Sequence, residues 1–164
     1  MQEIKENKLS RILIKNRLNL RIILVYAFVS IFLFFLPYIY TLTNNEPVFV
    51  SGFKMLSYLE DSYSYLKQGI TFYLCGYVSA ILILIFSAIG LFSKDEVNKM
   101  MNILVMLLLL FKFAIELTAI IMISNCSKLH IHSEFASYLS VVLSGCMTFF
   151  AIFMYIRNKK SKAN

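Results

Sequence analysis

The stretch Met101–Ile123, MNILVMLLLLFKFAIELTAIIMI, decides the class of this protein. A helix needs about 20 mostly apolar residues to cross the roughly 30 Å hydrocarbon core of a bilayer, and this stretch is long enough. It nevertheless contains two charged residues, Lys112 near its midpoint and Glu116 one turn further on. Residues four apart share one face of a helix, so the stretch predicts an oppositely charged pair inside a transmembrane segment.

The free-energy balance of this helix indicates that it needs neighbours. On an insertion scale each charge costs roughly 2.5–3.5 kcal/mol at the helix centre. Fourteen Leu, Ile, Val and Phe residues in the stretch return about 0.3–0.6 kcal/mol each. The two contributions nearly cancel, so we expect the other helices of the chain to shelter this one.

The composition of the whole chain agrees with a membrane protein. Of its 164 residues, 59% are hydrophobic and only 15% are charged, and the mean hydropathy is +0.72. About 25% charged residues is usual in a soluble domain, and a disordered chain needs low hydrophobicity. The net charge of +7 lies mostly at the chain ends, beside apolar segments. This placement indicates binding to anionic lipid at the cytoplasmic face rather than to nucleic acid.

Four stretches meet the length criterion for a transmembrane helix. They are Ile22–Leu42, Ile70–Phe92, Met101–Ile123 and Phe135–Ile156. Strands of a membrane barrel alternate apolar and polar residues, and these stretches do not. The sequence therefore predicts an all-α integral membrane four-helix bundle over residues 22–156. Helix 1 is expected to stay as an uncleaved anchor, because no small-x-small site follows it.

Basic residues in the short flanks predict the orientation of the bundle. Twelve Lys and Arg residues lie on the side of the two termini, and three lie on the other side. By the positive-inside rule, both termini are expected in the cytoplasm. The abundance of Ile, Lys, Asn, Phe and Tyr fits an AT-rich bacterial genome. Together with the four apolar stretches, it suggests a multi-pass protein of a bacterial cytoplasmic membrane.

The segments outside the helices are short. Residues 1–21 form a basic leader that approximates an amphipathic helix at the cytoplasmic interface; the alternative is a mobile basic leader. Residues 157–164 form a basic cytoplasmic tail. In the first outer loop, Thr43–Gly69, a short extended run at Val48–Val50 precedes a predicted short helix that ends near Lys67.

Small and polar residues mark one face of helix 4 and one face of helix 2. On helix 4 they are Ser137, Ser140, Ser144 and Thr148, and on helix 2 they are Gly76, Ser79, Ser87 and Gly90. Small residues let helices approach closely, and hydroxyls form hydrogen bonds across the gap. We expect both faces to pack on the polar face of helix 3. The alternative is a hydrophilic pore.

An ionisable pair inside a membrane is a functional hypothesis by default. For Lys112 and Glu116 three interpretations stay open. The pair is a structural ion pair that fixes helix packing, a polar contact for a partner helix, or a site that responds to protons or ions.

The second outer loop brings Cys126, His130, His132 and Glu134 close together in sequence. These residue types bind zinc, but their spacing matches no closed zinc site, so a solvated loop is the better interpretation. We therefore predict no metal and no cofactor. The cysteines at 75, 126 and 146 include no Cys-x-x-Cys pair, which disfavours a dithiol oxidoreductase.

Signatures of enzymes are missing from the sequence. It has no Gly-x-Ser-x-Gly, His-Glu-x-x-His, phosphate-binding loop or dinucleotide motif. Lipoprotein signal peptidases have a similar length, but they use two membrane-facing Asp residues. Here the only aspartates, Asp61 and Asp95, lie in loops on opposite sides. We predict that the protein is not an enzyme.

Two short patterns carry a resemblance. Phe35-Leu36-Pro37-Tyr38, followed by Val50-Ser51-Gly52-Phe53, resembles a pattern in small bacterial membrane proteins without assigned function. In those proteins helix 1 ends in a Leu-Pro-aromatic exit, and the outer loop carries a Ser-Gly-Phe turn. The resemblance covers about residues 30–60 and implies a four-helix fold.

The sequence as a whole favours an accessory or interaction component of a membrane complex. It would bind a membrane-protein partner, or a second copy of itself, through helix 3 and the first outer loop. One alternative is a small transporter or channel subunit that uses Lys112 and Glu116. A second alternative is an immunity-type protein that blocks a pore-forming toxin, which rests on fold analogy alone.

Overall fold

The computed structural model describes residues 2–43, 46–58, 64–126 and 131–163. Four helices dominate it: α1 (Gln2–Leu33), α2 (Ser64–Phe92), α3 (Asp95–Ser124) and α4 (Phe135–Ala163). Three strands and a 3-10 turn occupy the connections: β1 (Pro37–Thr43), β2 (Glu46–Ser51), β3 (His132–Ser133) and the turn Lys54–Tyr58. Helices make up 81% of the structure, which confirms the mostly helical class.

Three of the helices are long and apolar enough to cross a membrane. The qualifying segments are Tyr65–Phe92, Asp95–Ser124 and Phe135–Arg157. They contain the predicted helices 2, 3 and 4. In the first turn of α3, the carboxylates of Asp95 and Glu96 face the positive end of the helix dipole, which stabilises that end.

The first helix differs from the prediction. The stretch Ile22–Leu42 was expected to span the membrane, but α1 ends at Leu33 and its apolar part begins at Asn19. That part is about 22 Å long at 1.5 Å per residue, which is short of a 30 Å hydrocarbon core. At its other end, α1 begins at Gln2. The predicted leader and helix 1 therefore form one continuous helix.

Proline and β-branched residues explain where α1 ends. Three i→i−3 backbone hydrogen bonds tighten the chain after Leu33, the last from Leu36 N to the Leu33 carbonyl at 3.0 Å. Pro37 has no N–H to continue the helix. The next residues, Tyr38-Ile39-Tyr40-Thr41, are aromatic or β-branched, and such side chains pack well on a pleated sheet.

A small sheet corrects the all-α prediction. Its strand order is β2-β1-β3, and both pairs are antiparallel. β2 contains the extended run expected at Val48–Val50. β3 comes from the connection between α3 and α4, so the sheet joins both connections at one end of the bundle. The Glu134 N–H also donates to the Tyr38 carbonyl at 2.8 Å, which ties the start of α4 to β1.

The short helix predicted in the first connection is seen only in part. The 3-10 turn Lys54–Tyr58 lies where that helix was expected to begin, and α2 starts at Ser64 instead of Ile70. Residues 59–63 lie outside the described part of the chain.

The buried face of α3 sets the packing of the bundle. Apart from Ile115, which is also buried, its buried positions are spaced by three or four residues: Asn98, Met101, Val105, Leu109, Lys112, Glu116, Ala119 and Ile123. This is the spacing of helices that cross at about 20° with side chains interlocked. α3 packs on α2 and α4, and α1 closes the bundle by packing on α2 and α4.

Two apolar clusters fill the interior. The sheet-end core lies under the sheet and includes Phe34, Ile39, Val50, Met55, Ile70 and Ile123. The far-end core lies towards the opposite end and includes Leu20, Ile23, Ala27, Ile83, Val105 and Leu109. On α3, Lys112 and Glu116 lie between the residues of the two cores, so a charged layer separates them.

Candidate functional site

The charged pair of α3 lies inside the bundle. Lys112 is 1% exposed and Glu116 is 3% exposed, and the Lys112 ammonium forms an ion pair with Glu116 Oε1. Burying two charges costs several kcal/mol each unless they are paired and hydrogen-bonded. The neighbours of the pair therefore decide whether this layer is stable.

Two serines of α4 complete the hydrogen bonding of the carboxylate. Ser140 Oγ donates to Glu116 Oε1 at 2.7 Å, and Ser144 Oγ lies 3.0 Å from Oε2. Lys112 Nζ also donates to Ser140 Oγ at 3.3 Å. Ser144 Oγ lies equally close, at 3.0 Å, to the Val141 carbonyl of its own helix, so its single proton is shared between that carbonyl and Glu116 Oε2. The ammonium has two acceptors. We call Lys112, Glu116, Ser140 and Ser144 the charged layer.

The other hydroxyls of the helix 4 face bond to backbone instead. Ser137 Oγ donates to the Glu134 carbonyl at 2.6 Å, and Thr148 Oγ1 donates to the Ser144 carbonyl at 2.7 Å. Both side chains are buried. The predicted face therefore faces the interior along its length, but only its middle two residues contact the charges.

The helix 2 face meets α3 at its glycines. A Cβ atom placed on Gly76 would lie 3.0 Å from Glu116 Cγ, so a larger residue would press on the Glu116 side chain at this level. At Gly90 a Cβ would lie 3.0 Å from Met101 Cβ, and the Gly90 carbonyl accepts from Asn98 Nδ2 at 2.7 Å.

The two serines of that face do not reach α3 through hydrogen bonds. Ser79 Oγ donates to the Cys75 carbonyl of its own helix at 2.8 Å. Ser87 is fully buried, and its Oγ has no hydrogen-bond partner among the described residues. Ser79 and Ser87 contribute to packing by their small size, because small side chains let α2 and α3 approach closely.

Four further polar residues around the charged layer were missed in the sequence. Tyr26 and Ser30 of α1 are buried, and the Tyr26 ring centre lies 6.0 Å from Lys112 Nζ. Tyr38 of β1 and Tyr73 of α2 are buried on the sheet side of the layer, with ring centres 5.2 Å apart. A signal existed for the first two, since the polar residues Asn19, Tyr26 and Ser30 recur at helical spacing on helix 1.

The burial of the charged layer bears on what it can do. The four side chains neutralise and hydrogen-bond one another within one chain, as a buried polar network requires. Their relative exposures leave no part of the layer at the surface for another helix to contact. In this arrangement the layer can fix the register of α3 against α4.

The second connection forms no metal site in the described residues. No group of three or more His, Cys, Asp or Glu side chains there could hold a metal ion, and His130 lies outside the described residues. Cys126 is buried, and its thiol contacts the Met122 carbonyl at 3.6 Å. All three cysteines are free thiols.

The exposed face of the sheet carries a row of aromatic rings. Phe49 of β2, Tyr40 of β1 and His132 of β3 lie side by side, because Tyr40 is opposite both other residues in the strand register. The ring centres are 5.6 Å apart for Tyr40 and Phe49, and 6.3 Å apart for Tyr40 and His132. We call these three residues the aromatic row.

The aromatic row lies on the face of the sheet opposite its core. Phe49 is 56% exposed, whereas the next residue, Val50, is buried in the sheet-end core. Beside the strands, Phe35 and Phe53 are also exposed and stack with ring centres 6.1 Å apart. Large aromatic side chains thus lie at the surface at this end of the bundle.

Comparisons with protein-family models, with curated proteins and with solved structures found no match to this chain. The resemblance based on Phe35–Tyr38 and Val50–Phe53 therefore stays a prediction.

Proposed function

We propose that this protein is a non-enzymatic accessory component of a membrane complex, and that it binds its partner through the aromatic row of the sheet. The observation that carries the proposal is the exposure of Phe49 beside Tyr40 and His132. Aromatic residues are enriched at protein–protein interfaces, where they supply large contact areas at low conformational cost. The partner is a membrane protein that presents an apolar surface at this end of the bundle.

The backbone of β2 adds to this surface. In the described residues β2 pairs with β1 along one edge only. A free strand edge presents unpaired N–H and C=O groups that an extended segment of another chain can bind. The edge and the adjacent ring of Phe49 therefore offer backbone and side-chain contacts together.

The burial of the charged layer also favours the sheet as the place where the partner binds. Lys112 and Glu116 are too deeply buried to meet a partner helix without opening the bundle. Their part in the proposal is internal, because they hold α3 against α4. That contact in turn keeps β3, which lies between these helices in the chain, next to β1.

The proposal includes insertion in a membrane as a multi-pass protein. Three apolar helices of sufficient length support it, and the proposal includes α1 as a fourth, shorter crossing, because the positive-inside rule favours both termini in the cytoplasm. Exposed basic side chains lie on the half of the bundle away from the sheet: Arg17, Arg21, Lys94, Lys99 and Arg157. They would bind anionic lipid at that face. The proposed location is a bacterial cytoplasmic membrane.

Site-specific photo-crosslinking tests this function. A photoreactive phenylalanine analogue at position 49, in the full chain in its native membrane, is expected to give a discrete protein adduct on irradiation. The matched control is position 149 of α4, where Phe149 is 73% exposed among lipid-facing side chains. Position 149 is expected to give no such adduct. The proposal is wrong if position 49 gives no protein adduct, or if position 149 gives the same one.

A further inference from the structure

The exposed side chains of α2 mark the two limits of its apolar span. Phe92, the last residue of the helix, is 92% exposed, and the charged residue Lys94 follows shortly after it. Counted back from Phe92, a hydrocarbon core of roughly 30 Å extends over about 20 helical residues, to Phe72. The next residue towards the sheet, Thr71, is exposed, and exposed Gln68 lies one turn further on. On α2 the limit of the hydrocarbon on the sheet side is therefore expected near Phe72.

The chain leaves α1 inside this limit. Phe34, the residue after α1, stacks on Tyr77 of α2 with ring centres 4.1 Å apart. Tyr77 follows Phe72 on α2 and lies about 7 Å deeper in the hydrocarbon, at 1.5 Å per residue. A Cβ atom placed on Gly52 would lie 2.6 Å from the Phe34 carbonyl oxygen, so the chain that follows β2 reaches the same depth. In the inserted protein, two non-helical segments therefore begin inside the apolar layer.

The outer surfaces of the other helices are apolar at this depth. Gly76 of α2 and Ser144 of α4 lie at one level, because both are next to the Glu116 side chain of α3. The exposed side chains within two residues of these three positions are apolar or thiol groups, and the largest are Val78, Leu117 and Val142. A surface of this composition is typical of helices that face lipid.

Three apolar side chains are exposed where the two non-helical segments meet. Phe35 and Leu36 follow α1, and Phe53 follows β2; their exposed fractions are 57%, 46% and 58%. The rings of Phe35 and Phe53 stack with centres 6.1 Å apart, so the two segments present one continuous surface. We call Phe35, Leu36 and Phe53 the apolar tip. Lys54, the next residue in the chain, is exposed, and a lysine side chain can bury its stem in apolar surroundings while its ammonium group reaches the headgroups.

The backbone of the first segment meets the requirement that hydrocarbon imposes on a non-helical chain. Each N–H group there must be paired within the protein, because no water is present. The N–H groups of Phe34, Phe35 and Leu36 donate to carbonyls of the last turn of α1, at 3.2, 3.1 and 3.0 Å. Pro37 has no N–H group. The four residues after α1 therefore present no free N–H group to lipid, although the chain is no longer an α-helix.

We propose that the apolar tip is immersed in the hydrocarbon of the leaflet on the sheet side, where it contacts lipid acyl chains. The tip completes the crossing that α1 is too short to make alone. It anchors the sheet, and Phe49, which lies about 7 Å along β2 from Ser51, is then held at the level of the headgroups. The inference rests on the membrane insertion included in the proposed function. It deepens that function, because the segment of the partner that contacts the aromatic row then lies beside the headgroups.

Tryptophan fluorescence in brominated lipids tests the depth of the tip. The chain has no Trp, so a single substitution gives a unique reporter. Full-length Phe53→Trp and Leu36→Trp are each reconstituted in phosphatidylcholine bilayers with and without bromine on the acyl chains. Both are expected to emit at short wavelength and to lose most of their emission to bromine in the upper half of the chains. The matched control from the same sheet is Phe49→Trp, which is expected to emit at longer wavelength and to lose much less.

A reporter at Phe149 separates failure of this inference from failure of membrane insertion. Phe149 is 73% exposed on α4, and Phe149→Trp is expected to be quenched by bromine near the ends of the acyl chains. If it is quenched while both tip reporters emit as in water, the tip lies outside the bilayer and the inference is wrong. Tip reporters that emit at short wavelength without being quenched would also overturn it, because protein would then cover the tip. An unquenched Phe149→Trp would contradict insertion itself, and the proposed function with it.

Discussion

The charged layer and the aromatic row differ in where the fold places their side chains: the charges are buried and the aromatic rings are at the surface. Lys112 and Glu116 are the least expected residues in an apolar helix, and the fold turns them inward and pairs them completely. Phe49 is an ordinary apolar residue, and the fold leaves it at the surface beside two other rings. The rarest residues of the apolar helices therefore lie in the interior of this protein, whereas a strand of ordinary composition forms the surface that we propose for a partner.

The largest effect is expected from breaking the charged layer on one side only. Lys112→Leu leaves the Glu116 carboxylate buried without its cation, which is expected to lower the free energy of unfolding by about 3–5 kcal/mol. Lys112→Leu/Glu116→Leu removes both charges and is expected to recover most of that loss. Thermal unfolding in nanodiscs measures both, with exposed Lys99→Leu as the control. Equal losses in the single and double variants would contradict a mutual ion pair.

A smaller effect is expected from the serine that bonds to the second carboxylate oxygen. Ser144→Ala removes the 3.0 Å hydrogen bond to Glu116 Oε2 and is expected to cost about 1.5–3 kcal/mol of stability. Thr148→Ala is the matched control, because that hydroxyl bonds only to a carbonyl of its own helix. The same unfolding assay would argue against a role for α4 in the layer if the two variants lost equal stability.

Because α2 approaches the charged layer closely at Gly76, enlarging this residue is expected to lower stability by a similar amount, over a wider range. Gly76→Val places new carbons against Glu116 Cγ, and such overpacking typically costs about 1–3 kcal/mol. Cys75→Val, one residue away on the exposed side of the helix, is expected to change stability little. A tolerated valine at 76, seen as an unchanged melting temperature, would mean that the helices are further apart there.

The sequence predicts the parts of this fold that have a local pattern of their own, and it does not predict the parts that depend on pairing with a distant segment. Long, nearly uninterrupted apolar runs predict α2, α3 and α4, and helical spacing predicts that Ser140 and Ser144 share a face. The predicted end of helix 1 was wrong, because hydropathy alone does not separate an apolar strand such as Tyr38–Thr41 from a continued helix. β3 has only two residues and depends on pairing with β1, so no local pattern predicts it.

The candidate site was predictable to a similar degree. The pair Lys112 and Glu116 stands out by charge, whereas Tyr26 and Tyr38 look like ordinary aromatic residues of a membrane helix. Their place beside the layer depends on how α1 and β1 pack, which is a property of the tertiary structure. The aromatic row likewise depends on strand register, since a shift by one residue would turn Phe49 into the core and Val50 outward.

The smallest effect on stability is expected at the aromatic row, together with the largest effect on binding. Phe49→Ala removes an exposed ring and is expected to change the free energy of unfolding by no more than about 0.5 kcal/mol. Val50→Ala, its buried neighbour, is expected to destabilise the fold clearly more. Unfolding curves that rank the two variants the other way would contradict the orientation of β2.

Affinity purification from the native membrane in mild detergent, with quantitative mass spectrometry, tests the central claim most directly. It compares wild type, Phe49→Ala and Lys112→Leu/Glu116→Leu. We predict a stoichiometric partner that wild type and the double variant retain and that Phe49→Ala loses, because contact is made at the exposed face of the sheet. A partner that Phe49→Ala keeps and the double variant loses would contradict the account, because binding would then depend on the buried charges.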